Sequence, residues 1–244
     1  MKTLPRSLAT SLVAINATLY AVIGYLTYLG VFTPVIGTVR FWPSVFVPAV
    51  FSIAFSPLIG GLGAAIGIFI SDMLVHGNPL LSLSVGVPAN FLGFYAVGLT
   101  YKHVRNTRSA LLLTLVEVAA TSLALYLAYQ HALVDQNFYF AASIAIVSTL
   151  GLTLAFIAIY KGEASRIIFA GSTGLILGSA VIGIGVWLYS QSFTLPSGAK
   201  ALPAWASLVW FLWTYLTEVP FIALLAPPTI ALLRRTGLSR EEER

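Results

Sequence analysis

Cysteine is absent from the 244-residue sequence, which excludes disulfides, thiolate metal sites and cysteine nucleophiles. Charge is also scarce: Asp, Glu, Lys and Arg make up 9% of the residues, against about 25% in an ordinary soluble domain. Because 58% of the residues are apolar, a chain of this length cannot cover a soluble fold with a polar surface. The composition therefore predicts a membrane protein and argues against soluble enzymes and nucleic-acid-binding modules.

The sequence also lacks the motifs of catalysis and of ATP binding. Apart from the solvated tail run Glu241-Glu242-Glu243, it has no closely spaced pair of carboxylates, and it has no nucleophile elbow and no glycine-rich phosphate loop. The three histidines, His76, His103 and His131, are too scattered to suggest a metal site. We therefore expect no enzymatic activity, no cofactor and no metal ion. The net charge of +5 is interpreted as membrane topology and not as a sign of a nucleic-acid partner.

Eight apolar segments are candidates for membrane-spanning helices, each of which needs about 20 apolar residues, or fewer inside a bundle. The second is short, and Ser56-Pro57 separates it from the third, because proline and the residue before it disfavour a helix. The sequence predicts an all-α polytopic bundle of six to eight transmembrane helices in a single domain, residues 1–244. The eight segments are 8–30, 42–56, 57–75, 82–102, 109–130, 138–160, 166–190 and 205–233.

The distribution of Lys and Arg predicts the orientation of the bundle. With an even number of spans both termini lie on one side, and eleven of the 13 basic residues fall on that side. Only Arg40 and Lys200 fall on the other. The positive-inside rule then places both termini in the cytoplasm, and we expect a multi-pass protein of the cell membrane.

Three acidic residues lie within the predicted spans: Asp72, Glu117 and Glu218. Charges in the hydrocarbon region are costly, by about 2.5–3.5 kcal/mol at a helix centre, so such residues are candidates for function. Counting along each helix places Asp72 near the outer surface and the other two near mid-depth. Glu117 and Glu218 can bind a substrate, carry a proton, or stay protonated against a neighbouring helix, and the sequence leaves these alternatives open.

Several polar and aromatic residues of the first four spans fall in the same outer half as Asp72. His76 lies four residues after Asp72, on the same helix face. This grouping predicts a pocket open to the outside, in which polar groups fix a small ligand and aromatic rings cover its flat face. The plainer alternatives are that Arg40 pairs with Asp72 or with a lipid phosphate, that His76 only ends a helix, and that Asn78-Pro79 forms a turn. The candidate ligand-binding residues are Arg40, Trp42, Asp72, His76, Asn78 and Asn90.

Small residues on the first span form a smooth stripe on which another helix can pack closely. Ala17 and Ala21 are four residues apart on this stripe. Packing within the chain and docking of a partner are both open interpretations of the pattern.

A series of short motifs between Gly37 and Lys102 occurs in the order and spacing of a known family. It resembles the membrane S components of energy-coupling factor (ECF) transporters. Ala17-x-x-x-Ala21 resembles the alanine motif of that family, and Glu218-Val219-Pro220-Phe221 resembles its closing helix, within 205–235. The likeness is best over residues 1–105. The motifs are Arg40-Phe41-Trp42-Pro43, Val47-Pro48, Ser56-Pro57-Leu58-Ile59-Gly60-Gly61, Ser71-Asp72-Met73-Leu74 and Gly77-Asn78-Pro79.

The resemblance implies a subunit that captures a vitamin or related micronutrient in an outward-facing pocket without hydrolysing ATP. It implies docking on a transmembrane T component and two ABC-type ATPase subunits, with Ala17 and Ala21 on the docking face. It also implies ligand contacts from the outer loop and the outer helix ends, here Arg40, Trp42, Asp72, Asn78 and Asn90.

The sequence departs from the family in its number of spans, since the family usually has six and eight are counted here. Either the segment 109–190 contains an additional helical pair, or the count there is wrong. The rival prediction is a stand-alone, ion-coupled carrier that uses Glu117 and Glu218 as proton sites. Pro220, Pro227 and Pro228, which we expect to break the last span, would suit such a carrier.

Overall fold

The computed structural model describes residues 5–29, 35–36, 39–40, 42–160 and 162–238. Its described residues form a polytopic α-helical bundle, which confirms the predicted fold class. A two-residue antiparallel pair, β1 (Val35–Ile36) and β2 (Val39–Arg40), follows the first helix, and a 3-10 turn (Pro43–Val45) precedes the second. The helices are α1 (Arg6–Leu29), α2 (Phe46–Ala54), α3 (Pro57–Val75), α4 (Pro79–Leu81), α5 (Val87–His103), α6 (Thr107–Gln130), α7 (Gln136–Tyr160), α8 (Gly162–Ser192) and α9 (Trp205–Arg235).

Seven helical segments of the described chain are long and apolar enough to cross a membrane, and the protein is a multi-pass membrane protein. One of the seven, Pro79–His103, joins α4 and α5 through a π-helical turn, Ser82–Gly86. The eighth predicted span is the short apolar segment Pro43–Ala54. At about 1.5 Å per residue it covers roughly 18 Å, less than the ~30 Å hydrocarbon layer, so it enters the bundle without crossing the bilayer alone.

The break between α2 and α3 lies where the sequence predicts it. Ser56 caps α3 by accepting the backbone N–H of Ile59 at 3.2 Å, and Pro57 occupies the first turn, where its missing N–H is not needed. On the other side of the turn, Ser52 donates to the carbonyl of Phe94 at 2.6 Å, which fixes α2 against α5. The hairpin is thus fixed by a cap within α3 and by one hydrogen bond from α2 to α5.

Contacts between helices give the chain two distinct ends. α1 and α3 run in the same direction, because the Asn16 amide reaches the carbonyl of Ile59 and the Ser71 hydroxyl lies against the carbonyl of Ala21. α8 runs opposite to α9. The end that holds Arg6, His103 and Arg234 is called the basic end, and the end that holds His76 and Trp205 is called the pocket end. The first and last described helices therefore begin and finish at the basic end.

The peripheral position of α6 and α7 bears on the unassigned segment 109–190. In the most apolar stretch of α7 only 17% of the residues are buried, and in that of α6 28% are buried. The corresponding share in α8 is 61%. α6 and α7 pack on α8 and α9, as in the contact of Phe138 with Trp213. All three predicted helices of the segment are present, and α8 is the central one.

Ala17 and Ala21 lie inside the interface between α1 and α3, where they are 3% and 4% exposed. The carbonyl of Ala17 lies against Gly67, where a Cβ would come within 2.8 Å of it. In this structure the small-residue stripe of α1 packs on α3 of the same chain, which is one of the two interpretations. α3 covers both alanines in this structure, and the docking face on this stripe stays a prediction.

A polar cluster joins three helices at the basic end. Glu163 of α8 accepts from the hydroxyl of Tyr101 on α5 and pairs with Arg234 of α9. Arg234 also donates to the Tyr101 hydroxyl at 2.8 Å. Arg166 stacks 4.5 Å from the Tyr101 ring and donates to the carbonyl of Val104 at 2.9 Å. These contacts hold the ends of α5, α8 and α9 together.

Replacing Arg234 with methionine is expected to lower the melting temperature of the purified protein by a few degrees, equivalent to about 1 kcal/mol. The cost stays modest because roughly one third of each charged side chain is exposed. The matched control is Arg235→Met, since Arg235 is exposed. Thermal unfolding followed by circular dichroism measures both, and equal melting temperatures would contradict the role of the cluster.

Candidate functional site

A cavity of about 100 Å³ lies between the helices at the pocket end and extends toward the middle of the bundle. Its volume is several times the roughly 10–15 Å³ that one water molecule requires. α1, α3, the α4–α5 segment, α8 and α9 form the walls, together with Trp42. Five of the 13 lining residues have aliphatic side chains, among them Ile68 and Val186. The polar and aromatic lining residues are Tyr20, Trp42, Asp72, His76, Asn90, Thr214 and Glu218.

Asp72 is held on the wall of the cavity by neighbours from two elements. The Ser82 hydroxyl donates to its Oδ2 at 2.7 Å, and His76 Nε2 lies 3.3 Å from its Oδ1. The side chain is therefore part of a hydrogen-bonded group and is 8% exposed. A carboxylate fixed in this way can accept from a ligand in a defined direction.

The tautomer of a neutral His76 ring follows from the contact that its Nδ1 atom makes. The backbone N–H of Asn78 donates to His76 Nδ1 at 3.0 Å, so a neutral ring carries its proton on Nε2, the atom that faces Asp72. Asn78 itself caps α4 by accepting the N–H of Leu81 at 3.0 Å, and its amide lies 3.2 Å from the Tyr189 hydroxyl. Its polar groups are thus used within the protein.

The π-helical turn Ser82–Gly86 explains how a polar group from the fourth span reaches Asp72. Pro88 has no N–H to bond the carbonyl of Ser84, and the wider turn accommodates this gap. Gly86 is required by the close approach, because a Cβ there would lie 2.8 Å from Asp72 Oδ2. The turn thus places Ser82 beside the carboxylate while Gly86 leaves room for it.

Asn90 lies deeper in the cavity and is bonded on both sides of its amide. The Tyr20 hydroxyl donates to Asn90 Oδ1 at 2.7 Å, and Asn90 Nδ2 donates to the carbonyl of Gly86 at 2.9 Å. An amide nitrogen carries two N–H groups, which leaves a second donor that can face the cavity. The orientation of this donor is fixed by the two bonds already made.

Trp42 and Tyr20 form an aromatic corner of the cavity. Their rings meet edge to face with centroids 6.3 Å apart. Gly24 on α1 makes room for the indole, since a Cβ at that position would lie 2.1 Å from the Trp42 ring. A flat ligand group can pack against this corner without displacing either ring.

Glu218 marks the deep end of the cavity, about 20 Å along α9 from Trp205. It is 6% exposed, and no described residue forms a hydrogen bond to its carboxylate. Thr214, one turn away on the same face, also has a buried hydroxyl without a hydrogen-bond partner among the described residues. A second cavity of about 20 Å³ continues beyond these two side chains and is lined by Ser179, whose buried hydroxyl is likewise unpaired there.

The structure brings four of the predicted site residues together: Trp42, Asp72, His76 and Asn90 all line the larger cavity. Asn78 does not line it and acts as a capping residue, in agreement with the turn interpretation. The backbone of Arg40 lies in β2, but its side chain is outside the described residues.

The two deep acidic residues have separate environments. Glu218 lines both cavities, whereas Glu117 on α6 accepts from the hydroxyl of Thr173 at 2.7 Å and lines neither. The two carboxylates therefore do not share either of these cavities. Pro220, Pro227 and Pro228 lie inside a continuous α9, so the expected break of the last span is wrong.

Tyr20, Thr214 and the π turn are site features that the sequence reasoning missed. In the sequence Tyr20 is one aromatic residue within an apolar span, and only its hydrogen bond to Asn90 shows that its hydroxyl belongs to the site.

Within the described ranges, no three His, Asp or Glu side chains are grouped so as to hold a metal ion. The lining of the larger cavity can bind and orient a small molecule through hydrogen bonds, aromatic contacts and a carboxylate.

Comparison with known proteins does not identify the chain: no protein-family model matches it, and no curated protein or solved structure is significantly similar to it.

Proposed function

We propose that the protein captures a small molecule in the cavity at its pocket end and serves as the substrate-binding membrane subunit of an importer. The observation that carries the proposal is the cavity itself, in which Asp72, Asn90 and Trp42 converge from three separate parts of the chain. Ligand pockets are typically concave and apolar with a few convergent polar groups. Neither this cavity nor the smaller one beyond Glu218 is lined by a residue of the polar cluster at the basic end, which suits a binding site more than an open channel.

The arrangement of the helices supports the likeness to ECF S components. Neither α6 nor α7 contributes a residue to either cavity. Without this peripheral pair, five of the seven long helical segments remain, and the short segment Pro43–Ala54 brings the number of apolar segments to the six that the resemblance implies. α6 and α7 are then the additional helical pair.

The proposed partners are a transmembrane T component and two ABC-type ATPase subunits, with the chain in the cell membrane and both termini in the cytoplasm. The basic end carries the Lys and Arg excess, which favours that orientation. A vitamin or related micronutrient is the proposed class of ligand. Since α3 covers Ala17 and Ala21, docking has to use other residues or require α1 to move from α3.

Native mass spectrometry of the gently purified protein tests the proposal. We expect the wild-type chain to retain a small molecule, and Trp42→Ala to reduce the retained fraction about tenfold, because a packed aromatic contact contributes roughly 0.5–1.5 kcal/mol beyond its area burial. The matched control is Trp205→Ala, since Trp205 lies at the same end but is 48% exposed and lines neither cavity. Equal retention by Trp42→Ala and the wild type would contradict capture in this cavity.

A second candidate is the ion-coupled carrier, and the position of Glu218 favours it. A carboxylate that lines the cavity near mid-depth can exchange a proton with the site. Proteoliposomes that contain this chain alone distinguish the two functions. Uptake driven by a proton gradient without partner subunits supports the carrier, whereas copurification of ATPase subunits supports the importer.

A further inference from the structure

We infer that the deep end of the cavity is a subsite for a positively charged nitrogen, so that the captured molecule is a compact organic cation. The inference rests on the proposed capture function and adds the chemical class of the ligand. Its basis is the contrast between the two carboxylates that line the cavity, Asp72 and Glu218.

Asp72 is already bonded within the protein. Ser82 donates to one of its oxygens at 2.7 Å, and His76 lies 3.3 Å from the other. Its charge is thus partly offset without a ligand. We assign Asp72 to orientation of the ligand near the mouth of the cavity.

Glu218, in contrast, has no hydrogen-bond donor among the described residues. It is more than nine-tenths buried, and within the described part of the chain nothing donates a hydrogen bond to it. A buried carboxylate requires a cation, hydrogen-bond donors or a proton to offset the loss of hydration. Because Glu218 faces open volume and not a protein donor, a cation that enters the cavity can replace the proton that otherwise offsets its burial.

The neighbours of Glu218 provide further acceptors for the same group. The hydroxyl oxygens of Thr214 and Ser179 are buried and unpaired among the described residues, and both line the smaller cavity with Glu218. A protonated amine has two or three N–H donors and no acceptor, which matches one carboxylate and two hydroxyl oxygens. The second cavity, at about 20 Å³, has room for the nitrogen or for one bridging water.

The remaining walls favour a cation over an anion. The described lining of the larger cavity contains two carboxylates and one imidazole, and no Lys or Arg. The rings of Trp42 and Tyr20 provide an aromatic surface for the uncharged part of the ligand. The geometry therefore places a ring or methylene body against the aromatic corner and the charged nitrogen at Glu218.

Three probes of equal size test this charge preference: benzylammonium, benzyl alcohol and benzoate. Binding is measured by calorimetry and ligand-observed NMR on the full chain in nanodiscs, with empty nanodiscs as the reference for partitioning into lipid. We expect benzylammonium to bind at least about tenfold more tightly than the other two, since a hydrogen bond to a charged group contributes roughly 1.5–3 kcal/mol. Glu218→Gln should remove this preference while benzyl alcohol binding stays within about twofold.

Glu117→Gln is the matched control, because it makes the same substitution at a membrane carboxylate that lines neither cavity. It should leave all three affinities unchanged. A preference that survives in Glu218→Gln, tighter binding of benzoate, or binding of none of the probes overturns the cation subsite.

The failure of this inference is distinguishable from that of capture itself. If mass spectrometry finds a retained neutral or anionic molecule that Trp42→Ala loses, capture stands and the cation subsite is wrong. If Trp42→Ala retains the molecule as well as the wild type, capture in this cavity is wrong.

Discussion

Replacing Ala17 with tryptophan is expected to prevent stable folding of the bundle. The side chain is 3% exposed, and the backbone of α1 at this position lies against Gly67 of α3. An indole can fit there only if the two helices separate, which exposes the Tyr20–Asn90 hydrogen bond and opens the cavity. Extra methylene groups in a well-packed interior typically cost about 1–3 kcal/mol. An indole in place of a methyl group is much larger than that, so we expect a loss beyond this range, comparable with the roughly 5–15 kcal/mol by which a native protein is stable.

The measurement is the yield of monodisperse protein by size-exclusion chromatography, followed by thermal unfolding in far-ultraviolet circular dichroism. Thiol-reactive dyes are unsuitable because the chain has no cysteine. Ala14→Trp is the control, since Ala14 lies about one turn away on the exposed side of α1. It should fold with nearly the wild-type melting temperature, and a stable Ala17→Trp would show that α1 does not pack on α3 as described.

The second large effect is expected for Gly174→Ala, at the crossing of α5 and α8. A Cβ at this position would lie 2.3 Å from Val97 Cγ2 and 2.6 Å from the carbonyl oxygen of Gly93. A side chain can rotate away, but a backbone oxygen moves only with its helix. We therefore expect a loss of about 2–3 kcal/mol in the free energy of unfolding, measured by thermal or denaturant unfolding in detergent.

Two other glycines turn this prediction into a graded series. At Gly178 the nearest atom to an added Cβ is the carbonyl oxygen of Ala89 at 3.3 Å, so Gly178→Ala should change stability by less than about 1 kcal/mol. At Gly151 on α7 nothing lies within 4 Å, and Gly151→Ala should be neutral or stabilise by up to about 1 kcal/mol, because alanine favours a helix. A different order of the three variants in their free energy of unfolding would contradict the described packing of α5 on α8.

The helices could be predicted from the sequence because each depends on local properties. Hydropathy runs define the spans, and Ser56-Pro57 marks the α2–α3 turn through a side-chain cap and a missing N–H. The continuity of α9 could not be predicted in the same way. Proline is costly in a helix in water, but neighbouring helices can support a helix that contains proline within a membrane.

The site could be predicted only in part, because depth along a helix does not give position across the bundle. Asp72 and Glu218 differ in depth, as the sequence indicates, yet one elongated cavity reaches both. Tyr20 and Thr214 belong to the site through pairings between distant helices, which no local pattern encodes. Ala17 shows the converse case, since small residues suit a partner helix and a helix of the same chain equally well.

The π turn at Ser82–Gly86 makes the site sensitive to the length of the chain. A π turn holds one residue more than the α-helical turn it replaces, so loss of one residue there can restore a regular α-helix. Such a deletion rotates the preceding residues by about 100° and shifts them by about 1.5 Å, which moves Ser82 away from Asp72. The hydropathy profile and the number of spans would hardly change. Two chains of this architecture can therefore share every span and still differ in what they bind, and a single insertion or deletion event is enough to separate them.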